Sequence, residues 1–527
     1  MPYAHLIFEK CPVKSLKSVH FPIRAVTAHN RKEHCPMKRF TALVLFLLLS
    51  LTALTGAPAL GEDETPRTNI KCGDYYYDIL DDGTAMITYY RGDYHEALVV
   101  PDTLDGITVT AIKRLTFQND GPSRITIPDS VVHIDGNPFG SFSKPDEIIV
   151  SPNHPALKVI DDVLFSKDGQ RLICSIAGSA IRHYDIPAGT VVIGDDAFSL
   201  TSSLTSVTIP DSVTTLGREA FRGTRLKAID IPASVTSIGD YAFANCDGLK
   251  QVVIPDSVTL LGTRGFYECL NLSQITLSGR ITRIEDKTFS SCISLTYIDI
   301  PEGVTFIGEG AFERCAALER VAIPDTVTHV GEGAFADCGA LTDIVIPDSV
   351  TFIDSGLFAA CRALKSVRLP ARVDHLGFGT FYDCHALTDF TLPENLTAIS
   401  EYTFYHCIAL TKVTIPDGIV SLERGAFQKC ENLKEVILPD TCTRIGRAAF
   451  MQCAALTDIV LPDTVTEIGE NAFNGCESLT ALAIPASVRA IDETAFLNCP
   501  NLTLTVVPGS YAEQYAIDHG IKYVYTE

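Results

Sequence analysis

LTDIVLPDTVTEIGENAFNGC, residues 456–476, is one copy of a pattern that recurs through most of the chain. Each copy contains a short alternating apolar segment, a Pro-Asp turn, a second apolar segment and a compact stretch ending in Ala-Phe-x-x-Cys. A fixed period of 20 to 50 residues predicts a solenoid, in which no unit buries its apolar side alone and stacked neighbours complete the core. The turn prolines are spaced 23 residues apart, at Pro347, Pro370, Pro393, Pro416, Pro439, Pro462, Pro485 and Pro508.

A single unit shows why the pattern predicts a coil with strands. Ile344 and Ile346 occupy alternate positions, which is typical of a strand with one buried face. Pro347 has no N–H for a neighbouring strand, so we expect it to end that strand and turn the chain. Phe358 and Cys361 are three residues apart and are expected to share one face of a helical turn. The predicted fold is a β-rich repeat solenoid with stacked parallel strands and a short helical turn per 23-residue unit.

The segment at residues 37–61 has the order of a secretory signal peptide. Lys38 and Arg39 form its basic end, an apolar run follows, and small residues close it. A membrane-spanning helix would need about 20 apolar residues, so we expect cleavage and no integral membrane segment in the mature chain. Residues 1–36 are interpreted as a non-native extension upstream of the true start, because a signal peptide works when it emerges first.

The rest of the chain is expected to form a solenoid with a cap at each end. Two β-rich runs around an Asp-Gly pair in residues 75–90 predict a hairpin over the first coil. Ser510 and Glu513 have the spacing of a capping box, which predicts a short helix at the other end. The expected domains are an N-terminal β-hairpin cap over 62–100, a solenoid over 101–507, with degenerate units and a hairpin insertion in 101–186 and regular units in 187–507, and a C-terminal cap over 508–527.

The mature chain is strongly acidic. Removing residues 1–59 leaves 34 basic and 62 acidic side chains, a net charge of −28. Nucleic acids and anionic lipids are bound through clustered cations, so neither is an expected partner.

The repeat cysteines invite two interpretations. Twelve of them occupy one repeat position and should form a ladder, which a disulfide or metal framework would explain. Zinc sites, however, need convergent ligands such as paired Cys-x-x-Cys, and this sequence has no such pair. The other interpretation is a small apolar side chain beneath each Phe, and Cys442, which stands where other units have Val, favours it. The mature chain holds 15 cysteines, so at least one is unpaired or bonded to another chain.

Motifs for catalysis are weak. Gly308 and Gly310 resemble part of a phosphate loop, but their spacing belongs to the repeat. The sequence contains no G-x-S-x-G and no H-E-x-x-H motif. Outward carboxylates remain as candidates for a hydrolase, and a solvated face is their ordinary explanation: Asp299, Asp343, Asp389 and Asp458.

The unit L-x-x-I-x-I-P-x-x-V-x-x-I-G-x-x-A-F-x-x-C resembles the BspA-like class of leucine-rich repeats. The likeness covers nearly all of residues 70–527, including the hairpin insertion and the final GSYAEQYAIDHGIKYVY. Ser278 replaces the turn proline in one unit, and the unit at Phe221 is one residue short and lacks the cysteine. The resemblance implies a secreted or surface-exposed leucine-rich repeat protein that binds other macromolecules, in some members host extracellular-matrix proteins or other bacteria. It implies no shared catalytic residue.

Partner binding is expected where the repeat leaves outward positions variable. Mixed charge with interspersed apolar groups suits a protein surface better than a small-molecule pocket. Tyr297, Arg320 and Arg368 are the expected anchors on the outward strand positions. A second candidate group, for which an irregular exposed edge is the alternative, joins aromatic and histidine side chains of adjacent units: Tyr382, His385, Tyr402, Tyr405 and His406.

The sequence therefore predicts a secreted or cell-surface interaction protein that is not an enzyme and uses no cofactor or metal. Its expected partner is a protein or another surface macromolecule of a host or a bacterium. Two alternatives come from other classes: a secreted hydrolase using carboxylates on the sheet face, and a structural surface-layer component.

Processing gives the first prediction. Because the signal segment is internal to the sequence, the mature N-terminus should lie near Leu60 or Glu62. N-terminal sequencing of the secreted protein checks this, and a first residue upstream of Met37 would contradict it.

Overall fold

The computed structural model shows a β-solenoid, which confirms the predicted fold class. Its strands are two to six residues long and stack mostly in parallel. The predicted signal peptide and upstream extension lie outside the described residues. The structure describes residues 67–92, 97–117, 123–139, 145–175 and 181–526.

The strands before the regular units are β1 (Ile70–Cys72), β2 (Tyr75–Ile79), β3 (Ala85–Tyr90), β4 (Ala97–Val99), β5 (Thr103–Leu104), β6 (Ile107–Ile112), β7 (Arg124–Ile127), β8 (His133–Ile134), β9 (Glu147–Val150), β10 (Leu157–Ile160), β11 (Val163–Ser166) and β12 (Arg171–Ser175). The regular units and the C-terminal end contain β13 (His183–Asp185), β14 (Val192–Ile193), β15 (Ser206–Thr208), β16 (Thr215–Leu216), β17 (Ser237–Ile238), β18 (Gln251–Val253), β19 (Leu260–Leu261), β20 (Gln274–Thr276), β21 (Arg283–Ile284), β22 (Tyr297–Asp299), β23 (Phe306–Ile307), β24 (Arg320–Ala322), β25 (His329–Val330), β26 (Asp343–Val345), β27 (Ser366–Arg368), β28 (Asp389–Phe390), β29 (Ala398–Ile399), β30 (Lys412–Thr414), β31 (Ser421–Leu422), β32 (Glu435–Ile437), β33 (Arg444–Ile445), β34 (Asp458–Ile459), β35 (Glu467–Ile468), β36 (Ala481–Ile484), β37 (Ala490–Ile491), β38 (Thr503–Val506), helix α1 (Tyr511–Asp518) and β39 (Lys522–Tyr525).

The regular coils build two rows of parallel strands. The first strand row consists of the strands before the turn proline, and the second strand row of the shorter strands after it. Equivalent residues of neighbouring coils are in register: Ile298 pairs with Val321 in the first row, and Ile284 pairs with Ile307 in the second. The 23-residue period therefore places equivalent side chains directly above one another.

A column of stacked phenylalanine rings fills the core. Between Phe198 and Phe496, rings of neighbouring coils have centroids 5.2–6.1 Å apart and are close to parallel. Tyr184 lies next to Phe198, and Tyr515 lies edge-on to Phe496, so aromatic side chains close both ends of the column. Each ring loses its exposed faces only when both neighbouring coils are present.

The compact stretch before each cysteine forms turns instead of the predicted helical turn. The N–H of Cys246 donates to the carbonyl of Phe243, which closes a turn of four residues. Tyr241 and Asn245 in the same stretch have φ angles of 55° and 58°. Left-handed residues at two places interrupt a right-handed helix, so it cannot propagate.

In the described residues no helix is both long and apolar enough to cross a membrane.

The cysteine column has a role in hydrogen bonding as well as in filling space. All twelve ladder thiols donate to the phenylalanine carbonyl of the preceding coil, as Cys384 does to Phe358 at 3.1 Å. The described cysteines are all free thiols. In the short unit Thr224 takes the same position, but its hydroxyl donates to the carbonyl of Phe221 in its own coil, at 2.8 Å. The position therefore selects a small side chain that can donate a hydrogen bond.

The hairpin of β11 and β12 separates two hydrophobic cores. Val163, Phe165 and Leu172 face the core of the regular coils, whereas Leu164 and Ile173 face the core of the N-terminal section. Both faces of this antiparallel hairpin are thus buried. Strands that are buried on both faces have nearly continuous apolar sequences, as β11 and β12 do.

A charged cluster also joins the N-terminal section to the regular coils. Arg114 donates to Asp196 from two nitrogens and to Glu219 at 3.1 Å. Arg218 also pairs with Oε1 of Glu219, and Arg222 pairs with its Oε2. Burial raises the pKa of Asp196, and the hydrogen bond and charge of Arg114 act against this rise.

The two ends of the described chain are covered by different elements. At the N-terminal end β2 and β3 form an antiparallel hairpin next to β6. At the C-terminal end Ser510 caps α1, accepting from the N–H of Glu513 at 3.3 Å, and β39 pairs with β38. Each end strand of a solenoid has an unpaired edge, and such elements protect it.

Substitution of Cys384 tests the cysteine column. Cys384→Ala should lower the free energy of unfolding by about 1–2 kcal/mol, because a small cavity forms and one hydrogen bond is lost. Cys384→Asp should cost more than twice as much, because it buries an uncompensated charge. Urea denaturation of both variants measures the difference, and equal losses would contradict the buried position.

Thiol reactivity gives an independent prediction. Burial raises the pKa of Cys361 to about 12, so the thiol is protonated and unreactive at neutral pH. A thiol reagent should react with few cysteines of the native protein, foremost the half-buried Cys72 and Cys499, and with nearly all of them in denaturant without reductant. Recovery of only one or two thiols in denaturant would indicate a disulfide framework instead.

Candidate functional site

The first strand row presents an outward surface over the central coils. In β22 the buried Ile298 stands between exposed Tyr297 and Asp299. Register places outward residues of neighbouring coils side by side, and Tyr297 lies opposite Arg320. We define the strand face as the outward residues of the first-row strands from β22 to β34, together with Val460.

The three predicted anchors all lie on the strand face. The hydroxyl of Tyr297 donates to Asp299 on the same strand. Arg320 is exposed on β24. Arg368 pairs with Asp348, Nη2 to Oδ2 at 3.1 Å, with both side chains more than half exposed. Because an exposed ion pair is weak, the guanidinium of Arg368 can exchange this partner for another carboxylate.

Exposed apolar side chains stand among these charges. Val345, Ile437 and Val460 are 50%, 43% and 76% exposed. Ile437 and Val460 line a shallow depression of ≈180 Å³ together with Glu435 and Asp458. Apolar side chains surrounded by polar and charged groups are the usual composition of a protein-binding surface.

The carboxylates considered for a hydrolase are spread along the strand face. Asp343 and Asp389 lie on opposite sides of Ser366 in the register of β26, β27 and β28. Asp458 lies opposite Glu435, whose carboxylate already pairs with a lysine of the preceding coil. Hydrolysis by two carboxylates requires both groups to flank one bond.

The second predicted group divides between buried and exposed positions. The rings of Tyr382 and Tyr405 stack at a centroid distance of 4.4 Å, and Tyr405 is only 8% exposed. Tyr402 lies edge-on to Tyr405 and to Phe378. Neighbouring rings thus cover most of Tyr405, whereas Tyr382 and Tyr402 are half-buried. Phe378, which the sequence analysis did not select, is 52% exposed.

The two histidines of this group converge on Asp383. Its Oδ1 accepts from His385 Nε2 at 2.8 Å and from His406 Nδ1 at 2.6 Å, and these two nitrogens are 3.3 Å apart. Arg362 donates to the other oxygen, Oδ2, from Nε at 3.1 Å and from Nη2 at 2.9 Å. Burial acts to raise the pKa of Asp383, but the hydrogen bonds from His406, His385 and Arg362 lower it below its usual value.

The repeat explains why these four side chains meet. Asp383 and His406 each precede the ladder cysteine of their coil, with φ angles of 62° and 58°. Arg362 and His385 each follow the ladder cysteine of theirs. The sequence analysis selected the histidines but missed Asp383 and Arg362. Aligning the residues on both sides of the cysteine over three successive units would have found them.

A second surface feature was also missed. On the second strand row, Arg283 lies over the ring of Phe306 at 3.7 Å, and Phe306 stacks on His329 at 4.8 Å. Farther along the same row Phe352 stacks on His375 at 5.6 Å. These residues share one repeat position at intervals of 23, so comparison of that position between units was the available signal.

Solved structures that are similar to this chain come from bacterial leucine-rich repeat proteins. A leucine-rich repeat protein from Bacteroides ovatus ATCC 8483 is similar in structure, with a TM-score of 0.52 and 25% sequence identity over 87% of this chain and 100% of that chain. A leucine rich cell surface protein from Faecalibacterium prausnitzii A2-165 has a TM-score of 0.40 and 27% identity over 74% of this chain and 93% of that chain. No curated protein matches the chain significantly.

The family comparison covers more than half of the chain. The BspA type leucine rich repeat region matches in six copies, over residues 175–295, 261–388 and 374–503. These ranges coincide with the coils that carry the phenylalanine and cysteine columns. The chain therefore belongs to the BspA-type leucine-rich repeat family.

Proposed function

We propose that this protein is a secreted or cell-surface interaction protein that binds another protein, or a similar surface macromolecule, through the strand face. The observation that carries the proposal is the row of exposed apolar side chains among charges at register-matched positions. Burial of Val345, Ile437 and Val460 against a partner would stabilise the complex, because it removes apolar surface from water. The surrounding charges would orient the partner.

The form of the surface supports a macromolecular partner. Outward residues of neighbouring coils follow one another along the row, which extends a contact over several coils instead of enclosing a small molecule. The stacked core fixes the backbone beneath them, so little ordering is required on binding. Membership of a repeat family whose units carry no shared catalytic group supports a role without catalysis.

The anchors are expected to contribute unequally. Tyr297 and Arg320 are adjacent in register and together offer an aromatic ring, a hydroxyl and a guanidinium. Tyr and Arg are the residue types that most often carry the binding energy of an interface. Arg368 lies opposite the apolar Val345 in the register of β26 and β27. The best-fitting contact on the partner is therefore a carboxylate next to an apolar group.

A triple substitution tests this proposal. Tyr297→Ala, Arg320→Ala and Arg368→Ala together should weaken binding to a partner isolated from host or bacterial surface proteins by tenfold or more, because a tenfold change needs only about 1.4 kcal/mol. Thermal unfolding should be nearly unchanged, since exposed substitutions usually cost under about 0.5 kcal/mol each. Surface plasmon resonance with the identified partner measures the change.

A matched control uses the same residue types away from the strand face. Tyr511, Arg280 and Arg489 are exposed and lie outside it, so their replacement by alanine should leave binding unchanged. Equal binding by the strand-face variant and the parent, with normal unfolding, would show that the strand face is the wrong surface. Equal weakening by both triple variants would show a general effect of charge instead of a specific contact.

A further inference from the structure

The cluster at Asp383 brings together three groups that can each ligate a metal ion. One carboxylate oxygen and two imidazole nitrogens come from two neighbouring coils, and all three atoms lie within 4.8 Å of one another. Their separations are 2.6, 2.8 and 3.3 Å. Tetrahedral ligands held at about 2.0–2.2 Å from one zinc ion are about 3.3–3.6 Å apart. The two imidazole nitrogens already have the spacing of two such ligands, and each contact to the carboxylate oxygen would lengthen by roughly 0.5–1 Å when the ion replaces the hydrogen bonds.

The chemical nature of the donors restricts the ion. Two imidazoles and one carboxylate suit zinc and neighbouring first-row transition metals, whereas calcium and magnesium prefer sets of oxygen ligands. Both imidazoles bind an ion only in the neutral form, with the remaining proton on the ring nitrogen that faces away. His385 would use Nε2 and His406 would use Nδ1, the two atoms that already face Asp383.

Arg362 gives the carboxylate a fixed orientation. Its two hydrogen bonds hold Oδ2 of Asp383, which leaves Oδ1 directed at the imidazoles. Ligating carboxylates commonly have such a second partner, which fixes their rotation. Arg362 is thus a positioning residue, and its positive charge offsets the one carboxylate. A site without excess negative charge attracts a hard cation weakly and depends on the imidazoles for its affinity.

The surroundings leave room for further ligands. The side chains of His385 and His406 are each 31% exposed, and that of Asp383 is 14% exposed. Tyr405 lies edge-on to His406 and stacks on Tyr382, so one side of the cluster is an aromatic wall. Three protein ligands with an open side is the arrangement of zinc sites that keep a water or an incoming ligand in the fourth position.

We propose that Asp383, His385 and His406 form a binding site for one divalent transition-metal ion of the zinc class, oriented by Arg362 and open to solvent. The site depends on the repeat, because its ligands come from two coils that only stacking brings together. It lies apart from the strand face and does not depend on the function proposed for that surface.

Titration of the metal-stripped full-length protein with zinc tests the proposal. The parent should bind one zinc ion that His385→Ala/His406→Ala loses, with affinity at this site reduced at least a hundredfold. Zinc should raise the melting temperature of the parent and not of the variant, since an ion that binds only the folded state stabilises it. Calcium and magnesium at the same concentration should have no effect on the parent.

A control pair separates the site from general histidine binding. His329→Ala/His375→Ala also removes two surface histidines but leaves the cluster intact, so its zinc affinity should equal that of the parent. Cobalt serves as a spectroscopic probe: nitrogen and oxygen ligands give only weak visible bands, whereas a strong near-ultraviolet thiolate band would place the ion on a cysteine.

Conservative variants guard against loss of the fold. His406→Asn tolerates the left-handed backbone at this position and can still donate to Asp383, and Asp383→Asn retains an oxygen for Arg362. Both should unfold like the parent and lose zinc binding. The proposal would be overturned if the parent bound no zinc, or if these variants and His385→Ala/His406→Ala bound zinc as tightly as the parent. A thiolate band with cobalt would also overturn it.

Discussion

Each coil of this solenoid has a phenylalanine ring whose two faces are covered by the equivalent rings of the coils above and below. An isolated coil would leave both faces in water, together with the apolar residues of its two short strands, and it has too few residues to make another core. The ring column therefore requires equivalent residues to lie in line. That alignment sets the strand register, and the thiol of the same turn fixes it further by donating to the carbonyl of the neighbouring phenylalanine.

The same constraint organises the surface. Because a residue and its equivalents at intervals of 23 stand above one another, neighbouring coils form contacts that sequence distance alone would not suggest. The stacking of equivalent positions explains three contacts between neighbouring coils: Tyr297 beside Arg320, Phe306 on His329, and Asp383 with His385 and His406. Functional groups in such a protein arise where neighbouring units differ at an exposed position, since the inward positions have no freedom to vary.

The N-terminal section, before the regular coils, repeats less regularly, and a hairpin and a charged cluster attach it to the regular coils. Its core is separate from that of the regular coils, and the β11–β12 hairpin contributes one face to each. Arg114 bridges to Asp196 and Glu219, so a buried charged cluster joins the two parts where the phenylalanine column is discontinuous. Removing Arg114 would leave the buried carboxylate of Asp196 without its arginine, which makes the junction sensitive to substitution at that residue.

The sequence by itself determined the solenoid, its period, the inward residues and the position of the strand face, because periodicity and strand alternation are properties of the chain that need no partner. Ile344 and Phe358 are buried as the pattern predicts. Only the tertiary structure decided that the stretch before each cysteine forms turns, since residues such as Tyr241 and Lys287 are left-handed although their type does not favour that conformation. It also decided that Tyr405 is covered and that Asp383 lies between two histidines, because burial and convergence depend on the coils above and below. The thiol hydrogen bonds belong to the same class: a cysteine beneath a phenylalanine suggests filling, and only the neighbouring coil supplies the carbonyl that accepts its proton.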